Sequence, residues 1–167
     1  VTSIGDYYSP GHRFTGSGGN SDIGTMAHRV AYIILQEKRR FLDRNEYTTT
    51  PGWWCWDFKK NEWKPKKEVW KGTAYANSGP VAVVTNMGNY AFDEKGEIYL
   101  KSFHPGVTVD QIKENCGFAL NVSRVEGETK KPTYKELFVL REFVDPELIF
   151  LPQKVDYPAN IQKLING

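Results

Sequence analysis

Apolar positions come in short runs along this chain, separated by polar segments rich in turn and cap chemistry. Arg29 to Leu35, RVAYIIL, is nearly unbroken and rich in β-branched and aromatic residues. Such a run predicts a strand buried on both faces of a parallel sheet. Val81 to Thr85, VAVVT, introduced by Gly79-Pro80, predicts a second core strand. Asn89 to Asp93 and Glu97 to Phe103 flank Asp93-Glu94-Lys95-Gly96, the pattern of an antiparallel hairpin with Gly96 at positive φ. Lys38, Arg39 and Arg40 close the first strand, and Glu46 to Thr50 predicts a further short extended segment.

Helices are marked by their caps. Ser21 to His28 predicts two helical turns capped by Ser21. Thr108-Val-Asp-Gln111 is a capping box, with Gly117 placed to end that helix after Cys116. Thr133-Tyr-Lys-Glu136 is another, followed by Leu137, Leu140 and Val144 at helical spacing and stopped by Asp145-Pro146. Strands alternating with helices make the class α/β: an open, mostly parallel sheet flanked by helices, with an added antiparallel hairpin. One domain over 1–151 is expected, carrying an insertion at 51–72, with 152–167 as a polar surface tail.

At 167 residues the chain can bury a core of its own, and 40% hydrophobic with 25% charged residues excludes disordered and collagen-like classes. Lys plus Arg is 22 against 20 for Asp plus Glu, a net charge of +2, which argues against a dedicated nucleic-acid binder. No apolar run approaches the ~18 residues of a membrane span. The two cysteines, Cys55 and Cys116, are too few for a disulfide framework or a four-ligand zinc site and point to a reducing compartment, the cytoplasm. The chain opens at Val1, with none of the features of a signal peptide and no side chain able to act as an N-terminal nucleophile.

Two segments could carry chemistry. Gly16 to Gly24, GSGGNSDIG, has four glycines in nine residues. Glycines let a backbone approach a ligand and aim N–H groups at an anion, and they also simply make tight turns before helices. The spacing fits neither the phosphate loop nor the dinucleotide fingerprint. Pro51 to Gly72 holds all five tryptophans beside six lysines, with Asp57, Glu62 and Glu68 reducing the local excess to +3. That composition suits an interface or pocket lid better than a base-stacking surface. His12, His28 and His104 are scattered without metal-ligand spacing, so no metal site is expected. His104-Pro105-Gly106 reads as a turn, and both cysteines read as small buried hydrophobes.

The words TSIGDYYSPGHRFTGSGGNSDI (Thr2 to Ile23), QEKRRF (Gln36 to Phe41), YTTTPGW (Tyr47 to Trp53), GPVAVVTNMG (Gly79 to Gly88), FDEKGEIYL (Phe92 to Leu100), HPGVTVDQIKENCGF (His104 to Phe118) and VDPELIF (Val144 to Phe150) run in order along the chain. Together they resemble the C-terminal part of the B (β) subunit of the family I CoA-transferases, of the glutaconate CoA-transferase kind. The resemblance implies ping-pong transfer of CoA between an acyl-CoA and a carboxylic acid through a glutamyl-CoA intermediate, with CoA as substrate and no resident cofactor. It implies that Gly18 and Gly19 offer backbone contacts to the thioester or its oxyanion, with Gly16, Ser17 and Asn20 flanking. The nucleophilic glutamate of that family lies upstream of these residues, so no glutamate of this chain takes that role, and Glu37 is expected to pair with Lys38, Arg40 or a neighbour.

The implied partners are an A subunit and the N-terminal half of the B subunit, in a hetero-oligomer. The Trp-rich segment departs from the family's glycine-rich stretch. Trp53 and Trp54 are candidates to shape the acyl pocket or to grip the other half of the subunit. Two other readings stay open: a same-fold hydrolase or decarboxylase of CoA thioesters, and a non-catalytic binding subunit that uses the Trp/Lys segment.

Overall fold

The computed structural model describes residues 3–5, 8–13, 18–45 and 48–150 of the chain. Two compact units divide it, residues 1–129 and residues 130–167.

In the first unit, β1 (Ser3–Gly5) and β2 (Pro10–Arg13) pair antiparallel and lead to α1 (Gly18–Met26) and β3 (Arg29–Ile33). A second antiparallel pair follows, β4 (Trp54–Asp57) and β5 (Glu62–Pro65), then the single turn α2 (Lys66–Val69). Next come β6 (Gly79–Val84), β7 (Gly88–Phe92), β8 (Ile98–Phe103) and α3 (Val109–Glu114). The main sheet has the order β3-β6-β7-β8. β3 and β6 run parallel, and β6–β7 and β7–β8 run antiparallel. This is the α/β arrangement expected, with the parallel part among the described residues being the β3–β6 pair.

The core lies where α3 packs on the sheet. Leu100 and Ile112 are fully enclosed, with Phe41, Tyr90, Cys116 and Leu120 around them. Thr108 caps α3 as its spacing predicts: Thr108 Oγ1 accepts from the Gln111 N–H at 3.2 Å, and Gln111 Oε1 accepts from the Thr108 N–H at 2.9 Å. The helix ends at Asn115, however, and Gly117 serves another purpose. A Cβ there would fall 2.6 Å from the Phe41 carbonyl oxygen, so only glycine lets this strand-like bridge to Leu42 close. In the β7–β8 hairpin Gly96 has φ +82°, as expected. Asp93 Oδ1 accepts the N–H groups of Glu97 and Lys95, and these bonds hold its carboxyl below the usual range.

Three local expectations are corrected. α1 begins at Gly18, so Ser21 lies inside the helix, and its hydroxyl donates to the Thr49 carbonyl at 2.6 Å instead of capping. β3 is not buried on both faces: it is the edge strand among the described strands, and Ile33 is 87% exposed. A run of apolar residues reports what a strand needs, and the cover is supplied only when other layers are present. Thr48 to Thr50 form no strand, while Glu46 and Tyr47 lie outside the described residues.

The β4–β5 hairpin was not legible from its composition. Trp56 and Trp63 face each other across it, edge to face at 5.9 Å, and Asp57 Oδ1 accepts the Lys59 and Lys60 N–H groups in its turn. Cross-strand aromatic pairs of this kind stabilise an otherwise marginal two-stranded ribbon.

The second unit contains α4 (Tyr134–Val139), which continues into a π-helical turn at Leu140–Val144. Its capping box forms as predicted, with Glu136 accepting from Thr133 and its carboxyl held low by that bonding. Asp145 ends the run by accepting the Ile149 and Phe150 N–H groups. The expected tail at 152–167 lies outside the described residues.

Candidate functional site

Gly18, Gly19 and Asn20 form the exposed first turn of α1, whereas Gly16 and Ser17 lie outside the described residues. Gly18 has φ +33°, a conformation L side chains rarely adopt. A Cβ at Gly18 or Gly19 would meet no atom within 4 Å, so the space above this turn is open. The first N–H groups of a helix have no partner within it and carry the positive end of its dipole. No acidic residue stands in this first turn to oppose an arriving anion. The turn can therefore present backbone donors to a carboxylate or developing oxyanion.

Trp53 and Trp54 lie elsewhere. The C-terminal end of α1 is tied to the start of β6 by Ser78, whose hydroxyl donates to the Thr25 carbonyl at 3.2 Å. Gly18 is seven residues back along that helix, roughly 10 Å at 1.5 Å per residue. Trp53 packs at the β6 start: a Cβ at Gly79 would fall 2.9 Å from its ring, and its indole N–H donates to the Pro80 carbonyl at 2.8 Å. It also closes against Gly96, locking the Trp-rich segment to the β7–β8 turn. Trp54, more exposed, donates its indole N–H to the Lys95 carbonyl at 2.9 Å. Both line an open cavity of about 690 Å³ with Arg29, Lys67, Glu68 and Lys95. The structure thus gathers the glycines at one end of α1 and the two tryptophans at the other.

Under the tryptophans lies a buried charge that no sequence pattern announced. Lys66 is fully enclosed, its ammonium 3.4 Å from the Thr25 carbonyl and 5.4 Å from the centre of the Trp70 ring. Burial lowers its pKa, partly offset by the Cys55 thiol nearby, and burial likewise pushes the Cys55 thiol up. A lysine whose folded pKa lies below its unfolded value costs stability while it stays protonated, and the cost fades as pH rises toward the ordinary lysine range. Lys66→Met should therefore hold or raise the melting temperature at pH 7, and its advantage over the native chain should shrink toward pH 10. Paired thermal melts across that range check it. A loss of several degrees at pH 7 would show that the carbonyl and ring contacts outweigh desolvation.

Residues 1–115 match the family profile described as Coenzyme A transferase. The chain belongs to the coenzyme A transferase family. It is 39% identical over 153 residues to the B chain of glutaconate CoA-transferase from Acidaminococcus fermentans, covering 90% of this chain and 53% of that one. It is 34% identical over 143 residues to the B chain of 3-oxoadipate CoA-transferase from Pseudomonas knackmussii, covering 84% and 51%. The crystal structure of glutaconate CoA-transferase from A. fermentans superposes with a TM-score of 0.67 at 34% identity, covering 93% of this chain and 55% of that chain. IpdAB of Rhodococcus jostii RHA1 shares the fold, with a TM-score of 0.65 at 24% identity and 94% and 58% coverage. This coenzyme A transferase family chain spans about half the length of the curated relatives it matches.

Within the family chain a buried polar network adjoins the ends of the parallel strands, and composition did not reveal it. Gln36, 3% exposed, follows β3 and accepts the Tyr90 hydroxyl at 2.5 Å and the Thr85 hydroxyl at 3.0 Å on Oε1. Its Nε2 donates to the Ile112 carbonyl at 3.3 Å. Burial pushes the Tyr90 phenol up, opposed by its bond to Gln36. His104 does form the predicted turn and also joins the network, with Nε2 2.9 Å from the Thr85 carbonyl oxygen. A carbonyl only accepts, so that nitrogen carries the proton. Glu37 pairs as expected, at 2.7 Å with Arg39 and 3.0 Å with Arg40, and the bonds from Arg40 and Arg39 lower its pKa.

Proposed function

We propose that this chain supplies the glycine-loop half of a CoA-transferase B subunit, working with an A subunit and the upstream half of the B subunit to move CoA between an acyl-CoA and a carboxylic acid. The observation that carries the reading is the open first turn of α1, with bare backbone at Gly18 and Gly19 in a chain of this family. Gly16 and Ser17 precede that turn in the sequence and Asn20 continues it. Trp53 and Trp54 belong to the separate cavity, where Trp54 is the side chain of the two that an acid or a partner would touch. The buried, unpaired thiols of Cys55 and Cys116 agree with a reducing cytoplasm. Among the described residues no helix is long and apolar enough to cross a membrane.

The chemistry divides one hard exchange into easier ones. A glutamate carboxylate from the upstream half attacks the thioester carbonyl and expels CoA thiolate, leaving an acyl-glutamyl anhydride. The thiolate then attacks the glutamyl carbonyl, releasing the acyl group as its carboxylate and forming glutamyl-CoA. The incoming acid reverses both steps. Each attack puts negative charge on a carbonyl oxygen, and preorganised N–H donors at the start of α1 stabilise that charge without reorganising. Here the glycines matter because any side chain would occupy the space the thioester needs.

Intact mass spectrometry of the assembled complex tests the assignment. After incubation with acyl-CoA and reduction by borohydride, a modified glutamate on the upstream half is the expected result. Consumption of acyl-CoA with no glutamyl adduct and no need for an acid acceptor would replace transfer by hydrolysis or decarboxylation. IpdB, the subunit named a cholesterol ring-cleaving hydrolase in R. jostii RHA1, is the related protein that makes this arm concrete.

A further inference from the structure

The geometry points to a cavity on the β4–β5 hairpin as a binding site for a small aromatic carboxylic acid, separate from the glycine turn. The cavity measures about 400 Å³, within the roughly 300–1,000 Å³ of small-molecule clefts. Its wall is mostly apolar and includes Trp56, Phe58, Lys59, Trp63, Val69 and Trp70. Every wall residue lies between positions 48 and 70, so one continuous stretch of chain builds the site. It shares no residue with the cavity of Trp53 and Trp54.

The wall leaves ring surface in water, with Trp63 49% exposed and Phe58 89% exposed. A flat ring laid against such a surface removes apolar area from water on both sides. The rings are set in place before any ligand arrives. Trp56 and Trp63 meet edge to face across the hairpin, and Trp70 meets Tyr75 the same way with ring centres 6.4 Å apart. The Trp70 backbone is fixed too: its N–H donates to the Lys66 carbonyl at 2.8 Å, and its carbonyl accepts the Thr73 hydroxyl at 2.8 Å. Preformed walls spare a ligand the ordering cost of binding.

Charge selects an anion. Lys66 stays out of the cavity wall, fully enclosed, and holds its ammonium 5.4 Å from the centre of the Trp70 ring. That ring already carries a cation and offers little to a second one. Among the described residues no carboxylate pairs with Lys66, whose ammonium bonds to the Thr25 carbonyl. Asp57 is the one acidic residue on the wall, and its Oδ1 is taken up by the Lys59 and Lys60 N–H groups. The Lys59 ammonium has no ion pair among the described residues and is left to meet a ligand. One ammonium matches a single carboxylate, whereas a nucleotide or phosphate ester brings several charges. Because Lys66 reaches Thr25, near the C-terminal end of α1, an acid held here sits at the opposite end of that helix from Gly18 and takes no part in the reaction at the glycine turn.

Fluorine NMR of the assembled complex, with fluorotryptophan in place of tryptophan, reads the site as naphthoate is titrated in. Single Trp56→Phe, Trp63→Phe and Trp70→Phe variants assign the resonances. The expected result is a saturable shift at Trp56, Trp63 and Trp70 with Trp53 and Trp54 unmoved, and naphthoate binding about tenfold tighter than naphthylmethylammonium. Lys59→Gln, an exposed change in a turn held by backbone N–H groups, should cut that preference to about threefold or less. No saturable shift at Trp56, Trp63 and Trp70, shifts confined to Trp53 and Trp54, or equal or tighter binding of the ammonium would overturn the proposal. Binding is read without turnover, so this site and the transferase reading fail separately.

Discussion

Gly19→Val should cut CoA transfer by the assembled complex about 10²- to 10³-fold, the scale of losing a preorganised oxyanion donor, while leaving its melting temperature within a few degrees. The separation of the two readouts follows from local geometry. A Cβ at Gly19 would meet nothing within 4 Å in this chain, so the added methyls project into open space and disturb no packed neighbour. Valine in the first helical turn costs only a few tenths of a kcal/mol relative to ordinary helix residues. Gly18 is a poorer probe, because its φ of +33° would strain any replacement and confuse folding with catalysis. Transfer of label between acyl-CoA and free acid, measured beside a thermal melt, reads both quantities. Activity within threefold of wild type would remove the first turn of α1 from the reaction, and a collapsed melting temperature would mean that the turn is packed in the assembly.

Gln36→Leu should destabilise the fold by about 2–4 kcal/mol, because leucine fills the volume but leaves buried polar partners unmet. The Tyr90 hydroxyl loses its Gln36 acceptor, and the Ile112 carbonyl loses a donor. Thr85 suffers less, since its hydroxyl also donates to the Gly88 carbonyl at 3.0 Å and accepts the Gly88 N–H at 2.9 Å. For a domain of this size the loss corresponds to roughly 5–15 °C in melting temperature. Adding Tyr90→Phe should recover part of it, because the second change removes the orphaned hydroxyl. A double-mutant cycle by chemical denaturation measures that coupling. Strict additivity would show that the two side chains stabilise the core independently, contrary to the geometry.

The two predictions draw on parts of the chain that differ in how legible they were. Thr108 and Thr133 declared their helices, Gly96 its hairpin, and VAVVT its strand, because each signal is local: a cap, a positive φ or a short apolar run is satisfied by residues within a few positions. The run of matching words from Thr2 to Phe150 carried the family. Gln36 was read only as part of such a word. Its partners Thr85, Tyr90 and Ile112 lie 49, 54 and 76 positions away, and no local pattern encodes a contact over that distance.

The sequence by itself determined the family, the α/β class, the capped helices and the glycine turn, since these follow from residue identity and short-range backbone chemistry. Tertiary structure alone decided that Trp53 wedges between Gly79 and Gly96, that Lys66 is enclosed, and that Gly117 serves close approach to Phe41. It also decided that β3 is an edge among the described strands: an apolar strand states its demand for burial, but only neighbouring layers can meet it, and Ile33 stays exposed.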